Sequence, residues 1–176
     1  MSVIELSQRA QRIEPFYVME MAKHAQEVAR QSSASGSPMI YLNIGEPDFS
    51  APPLVQQAAE RAIRDGRTQY TQAPGLPELR EKISAWYASR FGVDVPARRI
   101  IITAGASAAL QLACLALINP GDEVLMPDPS YPCNRHFVSA AEGKPVLIPS
   151  SAAERFQLSA AKVEAAWGER TRGVML

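Results

Sequence analysis

Hydrophobic side chains repeat with helical spacing in one part of the first 91 residues, and two further helices are predicted there. Apolar positions recur at intervals of three and four over 16–30, which predicts an amphipathic helix. Helices are also predicted over 53–65 and 77–91, each with a proline in its first turn, where the missing N–H is harmless. Ser, Gly and Pro predict a loop over 31–38, and 39–44 predicts a short strand.

Beyond residue 96, short apolar segments alternate with helical ones. This alternation is typical of a parallel, right-handed βαβ sheet covered on both faces, so the predicted fold class is α/β. The last apolar segment ends without a turn or a cap, and we therefore expect the sequence to be a piece of a longer protein. The predicted strands are 99–103, 123–126, 144–148 and 171–176, and the predicted helices are 106–117, 132–140 and 159–167.

Length and composition exclude several classes of protein. The chain of 176 residues is long enough for about one domain, and 47% hydrophobic with 20% charged residues is typical of a soluble globular protein. Eighteen basic side chains balance eighteen acidic ones, which argues against a nucleic-acid or anionic-membrane partner. No apolar run approaches the roughly 18 residues of a membrane span, and no signal peptide is visible.

The cysteines and histidines carry no metal or redox motif. Cys114 and Cys133 form no CxxC pair, and His24 and His136 have no HExxH spacing. A metal site and a disulfide are therefore not favoured, and both histidines are expected at the surface. The predicted location is the reducing cytoplasm.

The junction at 103–107 is a candidate anion site. Small residues here begin a helix at the carboxyl end of a predicted parallel strand, which is where α/β sheets bind ligands. Gly105 lets a ligand approach the backbone, the Ser107 hydroxyl offers a hydrogen bond, and the first-turn N–H groups favour a phosphate. Small residues also permit close packing of the helix on the sheet, and the pattern alone leaves both interpretations open.

A nicotinamide nucleotide is an alternative ligand, because Asp128 follows the junction at about the spacing of a ribose-binding acid. The glycine fingerprint fails, however. Counted from Gly105, the second and third glycine positions hold Ser107 and Leu110. No Gly-Lys-Ser/Thr sequence of a Walker loop is present either.

A second candidate feature is Tyr131, in the proline-rich turn 127–132 after the next predicted strand. This turn is expected at the same edge of the sheet as Gly105. A tyrosine held there could stack on an aromatic cofactor whose phosphate occupies the first loop. On its own, Tyr131 is more often explained by ordinary packing than by stacking, and only its combination with the candidate phosphate loop favours the stacking role.

Taken together, five motifs stand in the order and spacing found in class I/II aminotransferases, the fold-type I enzymes that depend on pyridoxal 5′-phosphate. The chain resembles most the branch that includes bacterial aspartate aminotransferases, and the resemblance covers nearly all of it. The motifs are 44–49 (IGEPDF), 68–70 with 75–80 (TQY and GLPELR), 103–107 (TAGAS), 120–124 (PGDEV) and 128–132 (DPSYP).

The resemblance implies the N-terminal portion of the fold-type I architecture. Residues 1–44 would be an N-terminal helix and arm that form part of the small domain, and 45–176 the incomplete first half of the cofactor-binding large domain. In that fold the strands near Val124, Val146 and Val174 lie side by side. The strand at 100–103 is separated from them by strands that come later in sequence.

Site residues are also implied by the resemblance. Gly105, Ala106 and Ser107 match the loop that holds the phosphate of pyridoxal 5′-phosphate, and Tyr131 matches the aromatic that stacks on its ring. No metal is implied.

Two further positions concern the substrate and the partner subunit. Gly45 matches the glycine whose backbone meets the substrate carboxylate. Tyr70 matches the tyrosine that reaches the cofactor phosphate of the neighbouring subunit, which implies a homodimer with shared active sites. From the residues alone, the preferred interpretations are a turn glycine for Gly45 and an exposed loop tyrosine for Tyr70.

The implied activity is amino-group transfer between an amino acid and a 2-oxo acid. One alternative is another fold-type I reaction, such as that of a C–S or β-eliminating lyase. Another is the ligand-sensing domain of a regulator, which would normally be preceded by a helix-turn-helix segment. Residues 2–38 instead predict a single amphipathic helix.

No catalytic residue is assigned within the chain. The family's Schiff-base lysine and its substrate-binding arginine are expected beyond Leu176. None of Lys23, Lys82, Lys144 and Lys162 lies in the family's lysine motif. Transamination needs that lysine as anchor and proton shuttle, so the 176 residues alone are not expected to catalyse it.

Overall fold

The structure is a computed structural model that describes residues 4–33, 36 and 39–176. It is an α/β chain, as predicted, with short 3-10 turns at Ala97–Arg99 and Ala152–Glu154. Its helices are α1 (Gln8–Gln11), α2 (Tyr17–Ser33), α3 (Pro53–Arg64), α4 (Pro77–Phe91), α5 (Gly105–Leu117), α6 (Cys133–Ala140) and α7 (Ala160–Ala166). Its strands are β1 (Glu123–Asp128), β2 (Lys144–Pro149) and β3 (Thr171–Val174).

The three strands form one parallel sheet in the order β2-β1-β3. Leu125 at the centre of β1 lies opposite Val146 of β2 on one side and Val174 of β3 on the other. The side-by-side arrangement of these strands is therefore confirmed. Helix α6 connects β1 to β2, and α7 connects β2 to β3, as parallel pairing requires.

The hydrophobic core lies around the central strand. Val124, Leu125 and Met126 of β1 are buried in succession, because a strand with neighbours on both sides and helices on its faces has no solvated side. Val138 of α6 is fully buried against this strand, and Cys114 contributes the buried position of α5. Burial raises the pKa of the Cys114 thiol.

Two predicted strands are absent from the described chain. Residues 39–44 and 99–103 form no strand, because an apolar segment becomes a strand only where another strand offers its backbone groups. The second segment instead begins with the 3-10 turn at Ala97–Arg99, and the Ile102 N–H donates to the Pro74 carbonyl at 3.0 Å. The expectation that 100–103 lacks its sheet neighbours agrees with this result.

The predicted loop at 31–38 begins later than expected. Helix α2 continues to Ser33, so residues 31–33 are helical and this part of the prediction is wrong. Gln31 accordingly lies one turn from Glu27, to which its amide donates at 3.4 Å. Residues 34, 35, 37 and 38 of the predicted loop lie outside the described residues.

The chain divides into two compact units. One contains α1 and α2 together with everything from Gly105 to Leu176, and the other is Ile40–Ala104 with α3 and α4. All of 40–104 is described, and Gly75 is its only buried residue. The predicted domain boundary after residue 44 is a different division and stays a prediction.

Membrane-spanning helices and groups of metal ligands are both absent from the described residues. None of the helices in this part of the chain is both long and apolar enough to cross a membrane. In the same residues, no three His, Cys, Asp or Glu side chains are grouped as metal ligands would be. His24 is exposed as predicted, whereas His136 is half-buried in α6.

Candidate functional site

Helix α5 begins at a glycine that its backbone geometry requires. Gly105 has φ +83°, in the left-handed region that disfavours any residue with a side chain. An added Cβ at this position would meet no atom within 4 Å. Conformation, and not crowding, therefore explains the glycine, and the space beside it is open to a ligand.

The next two residues are Ala106 and Ser107, whose backbone N–H groups have no acceptor among the described residues. Both residues are exposed, so the first turn of α5 is not packed tightly in the way the alternative interpretation requires. Donors of this kind at the positive end of a 13-residue helix are suited to binding an anion.

Tyr131 belongs to the same compact unit as α5 and follows the end of β1. Its side chain is 52% exposed, and its ring meets Phe16 edge-on at a centroid distance of 6.2 Å and an interplanar angle of 74°. The pKa of Tyr131 is raised, mainly by a hydrogen bond with the Cys133 side chain. The phenol is therefore neutral at ordinary pH and presents an uncharged ring for stacking.

Two buried polar groups that sequence reasoning missed belong to residues close to Tyr131 in sequence. The Ser130 Oγ and the Arg135 Nε are buried, and neither has a hydrogen-bond partner in the described chain. The Nη2 of Arg135 lies 3.6 Å from the Oδ1 of Asp128, at the end of β1. The only sign of Ser130 and Arg135 in the sequence is that they are close to Tyr131. Their buried polar atoms, which the structure shows, distinguish them from ordinary exposed polar residues.

A cavity of about 220 Å³ lies beside these residues, between the segment that precedes α2 and the start of α6. Phe16 and Tyr17 line one side, and Pro132 with Arg135 and His136 lines the other. The N-terminal segment thus contributes to the surroundings of Tyr131, which the sequence did not indicate.

Tyr70 and Gly45 belong to the other compact unit, 40–104. Tyr70 is fully exposed in the connection between α3 and α4. An added Cβ at Gly45 would meet nothing within 4 Å, and the Gly45 backbone is outside the left-handed region. Neither conformation nor crowding in the described chain therefore requires a glycine at 45.

Most of the chain matches one known protein family. The family model for aminotransferase class I and II matches residues 37–176. Aspartate aminotransferase of Rhizobium meliloti is 40% identical over 169 residues, which are 96% of this chain and 41% of that protein. The (5-formylfuran-3-yl)methyl phosphate transaminase of Methanocaldococcus jannaschii is 34% identical over 97% of this chain and 43% of its own length.

Solved structures of aminotransferases are similar to this chain as well. Aspartate aminotransferase from Thermus thermophilus with maleate superposes with a TM-score of 0.89 at 32% identity, covering 98% of this chain and 44% of that one. The chain therefore belongs to the class I and II aminotransferase family. It spans less than half the length of the relatives it matches.

The family's enzymes depend on pyridoxal 5′-phosphate, and the residues present fit this cofactor. A phosphate needs donors and open space, and the start of α5 offers the N–H groups of Ala106 and Ser107 beside an unobstructed Gly105. A pyridine ring needs an accessible flat partner, and half of the Tyr131 surface is exposed.

Proposed function

We propose that the whole protein is a pyridoxal 5′-phosphate-dependent aminotransferase, which moves an amino group between an amino acid and a 2-oxo acid. One observation carries the proposal: α5 starts at a left-handed glycine and exposes two backbone N–H groups that no described residue uses. Family membership supplies the identity of the anion that such a site would hold.

Each site residue then has a stated role. Gly105, Ala106 and Ser107 bind the cofactor phosphate, through backbone N–H groups and the Ser107 hydroxyl. Tyr131 stacks on the pyridine ring and fixes its plane. The cofactor, when bound, supplies an electron sink for the bonds at the substrate α-carbon.

The backbone at Gly45 contacts the substrate carboxylate. The open space where a Cβ would stand at this position supports the role, since a side chain would occupy the room that a carboxylate needs.

The proposed assembly is a homodimer with shared active sites, in which Tyr70 donates to the cofactor phosphate of the neighbouring subunit. A fully exposed tyrosine on a polar connection supports this assignment, because exposed aromatic rings commonly mark contact surfaces. The proposed location is the cytoplasm. The neutral composition supports neither a nucleic-acid partner nor an anionic membrane surface.

The proposal extends to the class of substrates and not to one amino acid. The relatives named above are named for different substrates, aspartate in one case and the aldehyde (5-formylfuran-3-yl)methyl phosphate in the other. We therefore assign an amino-acid donor and a 2-oxo-acid acceptor as a class.

The test is a turnover assay of the whole protein loaded with pyridoxal 5′-phosphate. A panel of amino acids is offered with and without 2-oxo acids, and both the new amino acid and free ammonia are measured. Amino-group transfer that requires the acceptor supports the proposal. Ammonia release without an acceptor would identify an eliminating lyase, and cofactor binding with no turnover of any pair would favour a ligand-sensing domain.

A further inference from the structure

The turn that carries Tyr131 is held at its start by the neighbouring strand. Asp128 is the last residue of β1, and its carbonyl accepts hydrogen bonds from the Ser150 N–H at 2.9 Å and from the Ser150 hydroxyl at 3.2 Å. Ser150 directly follows β2, so these bonds join the carboxyl ends of two paired strands. The point at which the chain leaves the sheet toward Tyr131 is therefore fixed.

The same turn is held at its end by α6. The Asn134 N–H donates to the Tyr131 carbonyl at 3.1 Å, and Asn134 is buried in the first turn of this helix. The backbone of Tyr131 is therefore tied to the start of α6. Its place at the edge of the sheet then depends on how α6 sits against the end of β1.

One ion pair joins α6 to the end of β1. The Nη2 of Arg135 lies 3.6 Å from the Oδ1 of Asp128, and the two side chains are 34% and 48% exposed. Arg135 belongs to α6 and Asp128 ends β1, so the pair connects the two elements between which Tyr131 lies. All of these contacts are within the compact unit that contains α5.

Stability alone does not explain an arginine at this position. The Arg135 Nε is buried and has no hydrogen-bond partner among the described residues, and a buried donor without an acceptor is destabilising. A partly exposed ion pair at 3.6 Å offsets little of that loss. Local departures of this kind from the most stable choice are expected at functional sites.

We propose that Arg135 is a positioning residue for the cofactor ring, which fixes the place of Tyr131 by pairing with Asp128 across the turn. The inference rests on the proposed function, since it assumes that Tyr131 stacks on the pyridine ring. The effect runs through the backbone of the turn and needs no contact between Arg135 and the cofactor.

The test is a double-mutant cycle on the whole protein, freed of cofactor. Arg135→Gln removes the positive charge, and the same substitution is made in a Tyr131→Leu background. The dissociation constant of pyridoxal 5′-phosphate is measured by absorbance titration. That of inorganic phosphate is measured by its competition with the cofactor, and because phosphate has no ring it reports on the start of α5 alone.

His136→Gln is the matched control. His136 follows Arg135 in α6 and lines the same cavity, but it takes no part in the ion pair with Asp128. An effect that comes only from disturbing this helix or this cavity should therefore occur in both variants.

We expect Arg135→Gln to weaken binding of pyridoxal 5′-phosphate about three- to fivefold when Tyr131 is present, and to have no further effect in the Tyr131→Leu background. The affinity for inorganic phosphate should keep its wild-type value. The visible circular dichroism of the bound cofactor should decrease, because that signal depends on a fixed ring orientation. His136→Gln should change none of these measurements.

Equal losses with and without Tyr131 would show a merely structural role for Arg135 and would overturn the inference. A parallel loss of affinity for inorganic phosphate, or wild-type values throughout in Arg135→Gln, would overturn it as well. If Arg135→Gln does not fold, Asp128→Asn decides by the same criteria, because it removes the other charge of the pair at nearly constant size.

Failure of the proposed function gives a different result. A wild-type protein that does not bind pyridoxal 5′-phosphate, or a Tyr131→Leu protein that binds it as well as wild type, would overturn the stacking role and the inference with it. Weaker binding in Tyr131→Leu together with unchanged binding in Arg135→Gln would overturn the inference alone.

Discussion

The ring of Phe16 meets the ring of Tyr131 edge-on, with centroids 6.2 Å apart and an interplanar angle of 74°. Phe16 immediately precedes α2, and Tyr131 follows β1, so 115 residues separate the pair in sequence. The contact restricts the Tyr131 ring, and about half of the side chain stays exposed and available for stacking. An aromatic far from the site in sequence thus supports the residue proposed to orient the cofactor.

Replacing Phe16 with leucine should weaken cofactor binding through Tyr131. An edge-on aromatic pair contributes about 0.5–1.5 kcal/mol beyond the area it buries, so we expect up to about tenfold lower affinity for pyridoxal 5′-phosphate. Absorbance titration of the whole protein measures the change. Tyr17→Leu is the matched control, and an equal effect in both variants would contradict the role of the Phe16 contact.

Substitution of Gly105 by alanine tests the left-handed turn. Because φ is +83° and no atom lies within 4 Å of the new Cβ, the cost is purely conformational, about 1–2 kcal/mol of unfolding free energy. Gly168→Ala is the control, since Gly168 has the same open surroundings and lies outside the left-handed region. Urea unfolding compares the two, and an equal loss of stability would show that Gly105 is not conformationally required.

The ion pair between Glu154 and Lys162 predicts an acid-dependent stability. The Lys162 Nζ lies 2.6 Å from Glu154 Oε1, and the Ser151 N–H and hydroxyl donate to Oε2. Lys162 first, and Ser151 next, lower the pKa of Glu154 to about 2. The folded state therefore favours the charged carboxylate. Its contribution is complete above the unfolded-state pKa and is lost as the pH falls toward about 2.

Urea unfolding midpoints of Glu154→Gln and wild type, measured from pH 6 down to pH 2, test this prediction. The neutral variant should lose less stability than wild type over the acid part of that range, because it has no carboxylate to protonate. Glu164→Gln, on the neighbouring helix α7, should follow the wild-type curve. Parallel curves for Glu154→Gln and wild type would contradict the assignment.

Prediction from sequence succeeded where the signal was local. The bounds of α4 were predicted to the residue, because a proline opens the helix and Gly92, at φ +66°, closes it with a left-handed cap. The strands at 39–44 and 99–103 were wrong because apolar composition does not show whether a partner strand is available. A local pattern indicates whether a segment is helical or extended, but not which segment lies beside it.

The same limit applies to the site. Gly105 and Tyr131 could be named from motifs, since each stands in a short pattern of fixed spacing. The buried Ser130 hydroxyl, which has no hydrogen-bond partner in the described chain, could not, because burial arises only on folding. Residues that surround a candidate site are therefore harder to predict from sequence than the motif residues that form it.

Tyr70→Phe in the whole protein should weaken cofactor retention while leaving the fold and the dimer intact. The proposed hydroxyl-to-phosphate hydrogen bond is charge-assisted and worth roughly 1.5–3 kcal/mol. Mixed dimers show whether Tyr70 contributes to the site of its own subunit or to that of the neighbouring subunit. A Tyr70→Phe subunit is paired with a subunit that has an intact Tyr70 but a disabled catalytic lysine.

If Tyr70 acts across the subunit boundary, the site with the intact lysine receives a tyrosine from its partner and recovers normal cofactor affinity. A site that stays as weak as in the Tyr70→Phe homodimer would show that the residue acts within its own subunit. Cofactor release from the purified mixed dimer, followed by absorbance, distinguishes the two results.

The central claim is that the start of α5 holds the phosphate of pyridoxal 5′-phosphate. A crystal structure of the whole protein grown with this cofactor tests it most directly. The account predicts phosphate oxygens within hydrogen-bond distance of the Ala106 or Ser107 backbone N–H, with the pyridine ring stacked on Tyr131. A phosphate bound elsewhere, with both N–H groups turned into the sheet interior, would contradict it.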